Sequence, residues 1–366
     1  MSNRVILGWD IGGANTKASL VEFKGDKKIK IKSIIRYFPI WLEGKERLPE
    51  VLKELKEELL KGQRIDGIAV TMTAELSDAY YTKREGVNHV LDSLMIAFSD
   101  ADCVIRIVDA NADLRTVEEA RSGYLMVAAA NWSATAWLVG KRLKDTILLD
   151  TGSTTTDIIP IKGGKIVAAG RTDPERLVSG ELVFTGALRT PISAIIGILT
   201  YKNKPCRVSS EKFAISADVH LVLEHITEDE YTCDTADGRS KSQKDSAARI
   251  ARVICADIEM LADAEIILLA KKIYEAQLET ISNALSQVAD RLCITGKSRR
   301  NYPIAVAGMG RRFLAAEAAR KVGFMKIIDL ADVLNEQGAA TAPSAAAAVM
   351  LNEYLTKKRV EMNHIP

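Results

Sequence analysis

The chain has 366 residues, 47% of them hydrophobic and 27% charged, with 50 Lys and Arg against 48 Asp and Glu. A net charge of +2 provides no strong pull toward nucleic acid or an anionic membrane, and 5% aromatics leave little surface for base stacking. What remains is a globular composition on a chain long enough for two domains.

Five cysteines (Cys103, Cys206, Cys233, Cys255 and Cys293) are odd in number and never spaced CxxC, which points to free thiols in a reducing cytoplasm rather than disulfides or a zinc site. No signal-peptide pattern precedes the first strand. Apolar runs such as Ile192 to Leu199 fall well short of the roughly 20 residues that span a bilayer. A cytoplasmic protein acting on small molecules is expected, without nucleic acid or membrane as a partner. Its oligomeric state stays open, a homodimer among the options.

The first predicted element is the strand ending in Leu7-Gly8-Trp9-Asp10, followed by Ile11-Gly12-Gly13-Ala14-Asn15-Thr16-Lys17 and a second strand. A tight Gly-Gly turn leaves backbone N–H groups bare, and glycine permits both positive φ angles and close approach of a ligand. Such a concave array suits a phosphate, and the adjacent aspartate suits its divalent metal. A third strand follows from Lys27 to Tyr37, then a helix opened by Leu48-Pro49-Glu50 and running to about Lys61. The buried strand Gly67-Ile68-Ala69-Val70 ends in the polar turn Thr71-Met72-Thr73-Ala74-Glu75-Leu76, the strand edge where α/β sheets hold ligands. Helix Lys83 to Phe98, strand Val104 to Val108 with Asp109-Ala110-Asn111 after it, and helix Ala112 to Ala130 complete an α/β half.

About 140 residues after Asp10 the pattern recurs as Leu149-Asp150-Thr151-Gly152-Ser153-Thr154-Thr155-Thr156-Asp157, again strand, Asp, Gly, hydroxyl-rich turn and strand. Two such hairpins imply two similar halves, at 1–143 and 144–366, facing one another across a cleft. A third strand is expected from Lys165 to Ala169. The run from about 171 to 262 breaks the pattern and reads as an insertion bearing specificity. The stripe Tyr274, Leu278, Ile281, Leu285, Val288 and Leu292 marks a long helix from Glu265 to Cys293 with a core-facing side. Strand Pro303 to Ala307 then runs into Gly308-Met309-Gly310 and a helix from Arg311, followed by strand Met325 to Ile328. An alanine-rich helix from Ser344 to Lys357 closes the chain.

Two Asp/Gly hairpins and a late strand–Gly-x-Gly–helix resemble the acetate/sugar kinase, Hsp70 and actin superfold, built from two ribonuclease-H-like domains. In that superfold the hairpins hold phosphates and metal, and the late glycine pair borders a nucleotide. The first hairpin with Thr71–Leu76, Ala128-Ala129-Ala130-Asn131-Trp132, the second hairpin and Thr235-Ala236-Asp237-Gly238-Arg239 together are similar to a narrower group. This is the hydantoinase/oxoprolinase-related family linked to tetrahydromethanopterin one-carbon metabolism, whose characterised archaeal members are condensing enzymes of methanofuran biosynthesis. The resemblance implies joining an aminomethylfuran-methyl diphosphate to γ-glutamyltyramine, with an ether formed and diphosphate released.

For such chemistry Asp10 and Asp150 are candidate ligands of a metal or its water, with Asp157 a third, and Mg2+ is the expected ion. Lys17 and Arg189 would clamp phosphate oxygens. Gly12, Gly13, Asn15, Thr16, Gly152, Ser153 and Thr154 would donate from backbone or hydroxyl, and Gly308 and Gly310 would border a nucleotide if ATP binds. Glu75, Asp109 or Asp237 would take the phenol's proton. Competing roles stand beside these: Lys17 facing solvent, Asp109 capping a helix, Asp237-Gly238 as a plain turn. His89, His220, His225 and His364 lack ligand spacing. An ATP-dependent small-molecule kinase, an ATP-driven cyclic amidase and a non-enzymatic scaffold are the rival functions.

Overall fold

In the computed structural model, which describes residues 3–25 and 27–362, the expected first strand lies inside a six-stranded sheet. Its strands are β1 (Asn3–Ile11), β2 (Asn15–Lys24), β3 (Lys27–Tyr37), β4 (Gly67–Met72), β5 (Val104–Val108) and β6 (Leu114–Arg115). The order is β3-β2-β1-β4-β5-β6, antiparallel through the first three strands and parallel from β1 to β4 and β5. β1 is apolar on both sides because both are covered. Leu7, Trp9 and Ile11 join the core under helices Leu48–Leu60 and Lys83–Ala97.

The alanine-rich helix, Ala342–Met362, packs on β1, β2 and β4. A Cβ on Gly8 would lie 1.9 Å from the Ser344 carbonyl oxygen, so the close approach depends on glycine there. Ser19 shares hydrogen bonds with Thr341 and Ser344 at 3.1 and 2.7 Å. Contacts accordingly divide the chain otherwise than a cut at 143/144. One unit holds Met1–Thr146, Ile159–Arg176 and Asp329–Pro366; the other holds Ile147–Ile158 and Leu177–Ile328.

The second sheet contains β7 (Thr146–Thr151), β8 (Thr156–Lys162), β9 (Lys165–Ile166), β10 (Leu182–Val183), β13 (Pro303–Ala307) and β14 (Lys326–Asp329), ordered β10-β8-β7-β13-β14 with β9 on β8. A separate hairpin pairs β11 (Ile198–Tyr201) with β12 (Lys204–Arg207). The logic of the first sheet recurs: a strand ending in Asp, a hairpin, and a parallel neighbour. Asp10 pairs with Thr71 on β4, and Asp150 with Ala307 on β13. Both halves are therefore ribonuclease-H-like α/β units, the second with an insertion. That insertion has its own core, in which Leu199, Val219 and Ile250 pack against Ile266, Leu269 and Ile273 of the long helix Asp263–Arg291. Among the described residues, no helix is long and apolar enough to cross a membrane.

Three local expectations need correction. The helix expected over Ala112–Ala130 is broken: Ala112 and Ala129 have φ of +60° and +49°, and only Val117–Ser122 and Tyr124–Val127 are helical. At the start, Asp109 Oδ1 accepts from the N–H groups of Asn111 and Asp113 at 2.8 and 2.9 Å and closes a loop, so the helix begins instead at the Thr116 capping box and is interrupted at Gly123. The strand expected to reach Ala169 stops at Ile166. Of the core stripe on the long helix, Ile281, Leu285 and Val288 are buried, while Tyr274, Leu278 and Leu292 are half-buried at its edge.

Candidate active site

In the first unit Asp10 sits at the end of β1, opposite Lys17 on β2. Lys17 Nζ lies 3.2 Å from Asp10 Oδ2, and the Thr71 hydroxyl lies 3.4 Å from Oδ1. Lys17 is thus turned toward the aspartate and remains partly exposed. The glycines of this turn act through space: neither Gly12 nor Gly13 has a positive φ, contrary to expectation. A Cβ on Gly12 would lie 2.6 Å from the Asn15 carbonyl oxygen, and one on Gly13 would meet Ser77 Cβ at 3.2 Å. The Thr73–Ser77 turn therefore rests against the hairpin.

That turn carries Glu75, 2% exposed. Neither of its carboxylate oxygens has a hydrogen-bond partner among the described residues, nor do the hydroxyls of Thr16 and Ser77. Burial pushes the Glu75 pKa up to about 7; nearby N–H groups of Glu75 and Ala129 and the Lys83 ammonium pull it back without closing a hydrogen bond to it. Lys83 is itself tied to Asp173 at 2.6 Å. The helix Lys83–Ala97 lies so close that a Cβ on Gly86 would stand 2.5 Å from Glu75 Cα. Trp132, fully buried, packs beneath the Arg176 guanidinium at 4.4 Å.

The three candidate bases are now unequal. Asp109 is buried and bound to Arg115 at 2.8 Å as well as to its loop. Asp237 faces Arg249 and Arg252, both at 3.1 Å; against the opposing effect of partial burial, a hydrogen bond from the Arg239 N–H and then these two guanidinium groups hold its pKa low. Arg249 continues to the buried Asp218 at 2.8 Å, so Asp237 belongs to a clamp that holds the insertion together. Only Glu75 combines burial, an unsatisfied carboxylate and a proton affinity near neutrality.

In the second unit Asp150 and Asp157 are buried on adjacent strands, 8% and 9% exposed. The segment Thr185–Thr190 lies across the hairpin between them. Ala187 N–H donates to the Gly152 carbonyl, and the N–H groups of Leu188 and Arg189 donate to that of Ser153. A Cβ on Gly186 would be 2.6 Å from Thr154 N. The Arg189 guanidinium donates to Thr154 Oγ1 at 3.3 Å, which places it against the turn of this hairpin. The Gly308-Met309-Gly310 turn lies on the same hairpin: Gly310 N–H donates to the Thr151 carbonyl at 2.9 Å, and Gly308, at φ +82°, leaves no room for a Cβ beside Asp150 and Thr151. Arg311 folds back onto the Gly308 carbonyl at 3.2 Å and occupies space beside the turn.

Among the described residues, no three His, Cys, Asp or Glu side chains gather as a metal cluster. A shallow pocket of about 440 Å3 opens beside Asp109 and Arg115, and none of the expected phosphate-binding residues lines it. His89 pairs with the Tyr80 hydroxyl, His220 and His225 pair with each other, and His364 lies outside the described residues. Glu75's isolation and the His220 pairing were not visible in the sequence. A glycine inside a helix, Gly86, was the one local signal of tight packing there.

The hydantoinase/oxoprolinase family matches residues 66–354. A Methanocaldococcus jannaschii protein, (4-{4-[2-(γ-L-glutamylamino)ethyl]phenoxymethyl}furan-2-yl)methanamine synthase, is 40% identical over 354 residues, covering 96% of this chain and 99% of its own. The chain belongs to this synthase family. A Methanococcus vannielii protein of the same name is 35% identical over 217 residues, 59% of this chain and 94% of that one. Since these relatives are synthases, the family is one of enzymes. Among solved structures, nucleotide-free acetone carboxylase has a similar fold, with a TM-score of 0.50 at 10% identity over 94% of this chain and 70% of that one.

Proposed function

We propose that this enzyme joins an aminomethylfuran-methyl diphosphate to γ-glutamyltyramine, making an aryl ether and releasing diphosphate. One observation carries the reading: the relative matched end to end is named for a product in which a phenoxymethyl group bridges to a furan. The phenol oxygen bonds to the furan-bound methylene as the bond from that carbon to the diphosphate oxygen breaks with its electron pair. The phenolic proton passes to a base. Because the diphosphate already activates the carbon, the step uses no ATP.

The furan ring stabilises positive charge on the methylene, so the demands on the protein are to hold the leaving group and place the nucleophile. The second hairpin suits the diphosphate: Gly152, Ser153 and Thr154 offer donors, and Arg189 lies on Thr154. Mg2+ takes one or two carboxylates and leaves its other positions to water and phosphate, so two buried aspartates on adjacent strands fit it. Asp150, with Asp157, would hold the ion or its waters, and the ion would neutralise charge on the departing diphosphate. Asp10 and Lys17 form an ion pair that positions the first hairpin. Within the first unit Glu75 is the carboxylate best suited to serve as a base, since it is buried with no hydrogen-bond partner among the described residues and titrates near neutrality. Two variants separate these roles. Glu75→Gln lowers kcat while inorganic diphosphate with Mg2+ still binds; Asp150→Asn weakens that binding. The opposite pattern sinks the assignment.

A further inference from the structure

The long helix Asp263–Arg291 buries an apolar row, and within it lies a polar side chain, Gln277, 1% exposed. Its Nε2 donates to Thr185 Oγ1 and to the Gly186 carbonyl, both at 2.9 Å. A carbonyl oxygen only accepts, so the amide must point that way and Oε1 must face His220 Nε2 at 3.0 Å. His220 therefore carries its proton on Nε2. In the neutral ring, which burial enforces by pushing the pKa down to about 3, Nδ1 is an acceptor. His225 Nδ1, 3.2 Å from it, must then be the donor. One carbonyl thus fixes the direction of the hydrogen bonds from Gln277 through His220 to His225.

This polar chain ends on the segment that covers the second hairpin. Thr185 also offers its carbonyl to the Thr156 hydroxyl at 2.9 Å, and its hydroxyl shares a hydrogen bond with that of Thr190 at 3.1 Å. The two imidazoles touch the other neighbour of that hairpin as well. Phe313, just beyond Gly308-Met309-Gly310, lies against both rings with centroids 4.7 and 5.2 Å away. Burying an amide and an imidazole costs more than burying apolar groups of the same size, so a contribution to stability alone does not explain them.

We infer that His220 and Gln277 are positioning residues for the diphosphate site, holding Thr185 and Gly186 so that Arg189 stays over Thr154. The inference rests on the reading of the second hairpin as the diphosphate site. With His220 replaced by an apolar ring, Gln277 loses the partner that fixes its amide, and the covering segment loosens without losing its packing. Glutamine at position 220 would keep a donor facing Oε1.

The test compares wild type, His220→Phe and His220→Gln. Calorimetry with inorganic diphosphate and Mg2+ should show binding weakened ~10-fold in His220→Phe, the cost of one misdirected hydrogen bond, and largely restored in His220→Gln. Amide exchange at Ala187, Leu188 and Arg189 should quicken in His220→Phe alone, and nitrogen NMR of the wild type should find the His220 proton on Nε2. Undiminished binding in His220→Phe beside normal wild-type binding overturns the inference. So does a His220 proton on Nδ1, or unchanged exchange in a folded His220→Phe. Wild-type protein that binds no diphosphate overturns instead the reading of the hairpin.

Discussion

Replacing Glu75 by Gln removes a charge that the fold disfavours. The carboxyl's pKa rises from 4.5 to about 7 on folding, chiefly through burial. At ~1.4 kcal/mol for each tenfold change in proton affinity, this rise amounts to about 3 kcal/mol. The sign follows from proton binding: the folded protein holds this proton more tightly than the unfolded chain. Its contribution is present in full below pH 4.5 and is lost as pH rises through 7. Glutamine is neutral throughout. The variant should therefore gain on the wild type as pH rises, from little difference near pH 4.5 to about 3 kcal/mol above pH 7, read from urea unfolding at several pH values. A stability difference that does not change with pH refutes the argument. The same variant should lose ~10²- to 10⁴-fold in turnover if Glu75 is the base, and the wild-type rate should climb through neutrality as the carboxyl ionises.

Gly152 has open space where a Cβ would point, the nearest atom being the Thr155 carbonyl oxygen at 3.7 Å. Gly152→Ala should fold with an unchanged melting temperature and bind diphosphate more weakly, because only a ligand would meet the new methyl. Unchanged binding by calorimetry would place the diphosphate elsewhere. Gly308→Ala faces the Thr151 carbonyl at 2.3 Å with a φ of +82°, and should lose several kcal/mol in chemical unfolding. Arg249→Met should cost about 3–5 kcal/mol, since Asp218 would remain buried without its cation. In Asp218→Asn/Arg249→Met the loss should shrink, and thermal unfolding of both variants decides the point.

Both hairpins, the third strand of the first sheet and the insertion were legible in the sequence, because Asp-Gly turns and alternating apolar strands are local signals. The position of the last helix was not. Its run of buried alanines fits a partner that approaches closely, and Gly8 is where it lies, but no periodicity links residues so far apart. The choice of base was hidden for a different reason. Glu75, Asp109 and Asp237 each follow a strand or turn, and what separates them is what binds each carboxylate: a loop and Arg115, a pair of arginines, or no hydrogen-bond partner among the described residues. The Arg249 clamp joins Asp218 to Asp237 across a stretch with no repeating pattern. At Gly12 and Gly13 the residue type was right and the reason partly wrong: the turn needs room and no positive φ.

The central claim is that the enzyme displaces diphosphate from a furan-bound methylene with a phenol. The most direct measurement incubates the purified protein and Mg2+ with the furan-methyl diphosphate and γ-glutamyltyramine, and in parallel with ATP and the same acceptor. Free diphosphate and an ether of the expected mass in the first arm, absent with Asp150→Asn, are predicted. ADP in the second arm with no product in the first would contradict the claim and make the protein a kinase.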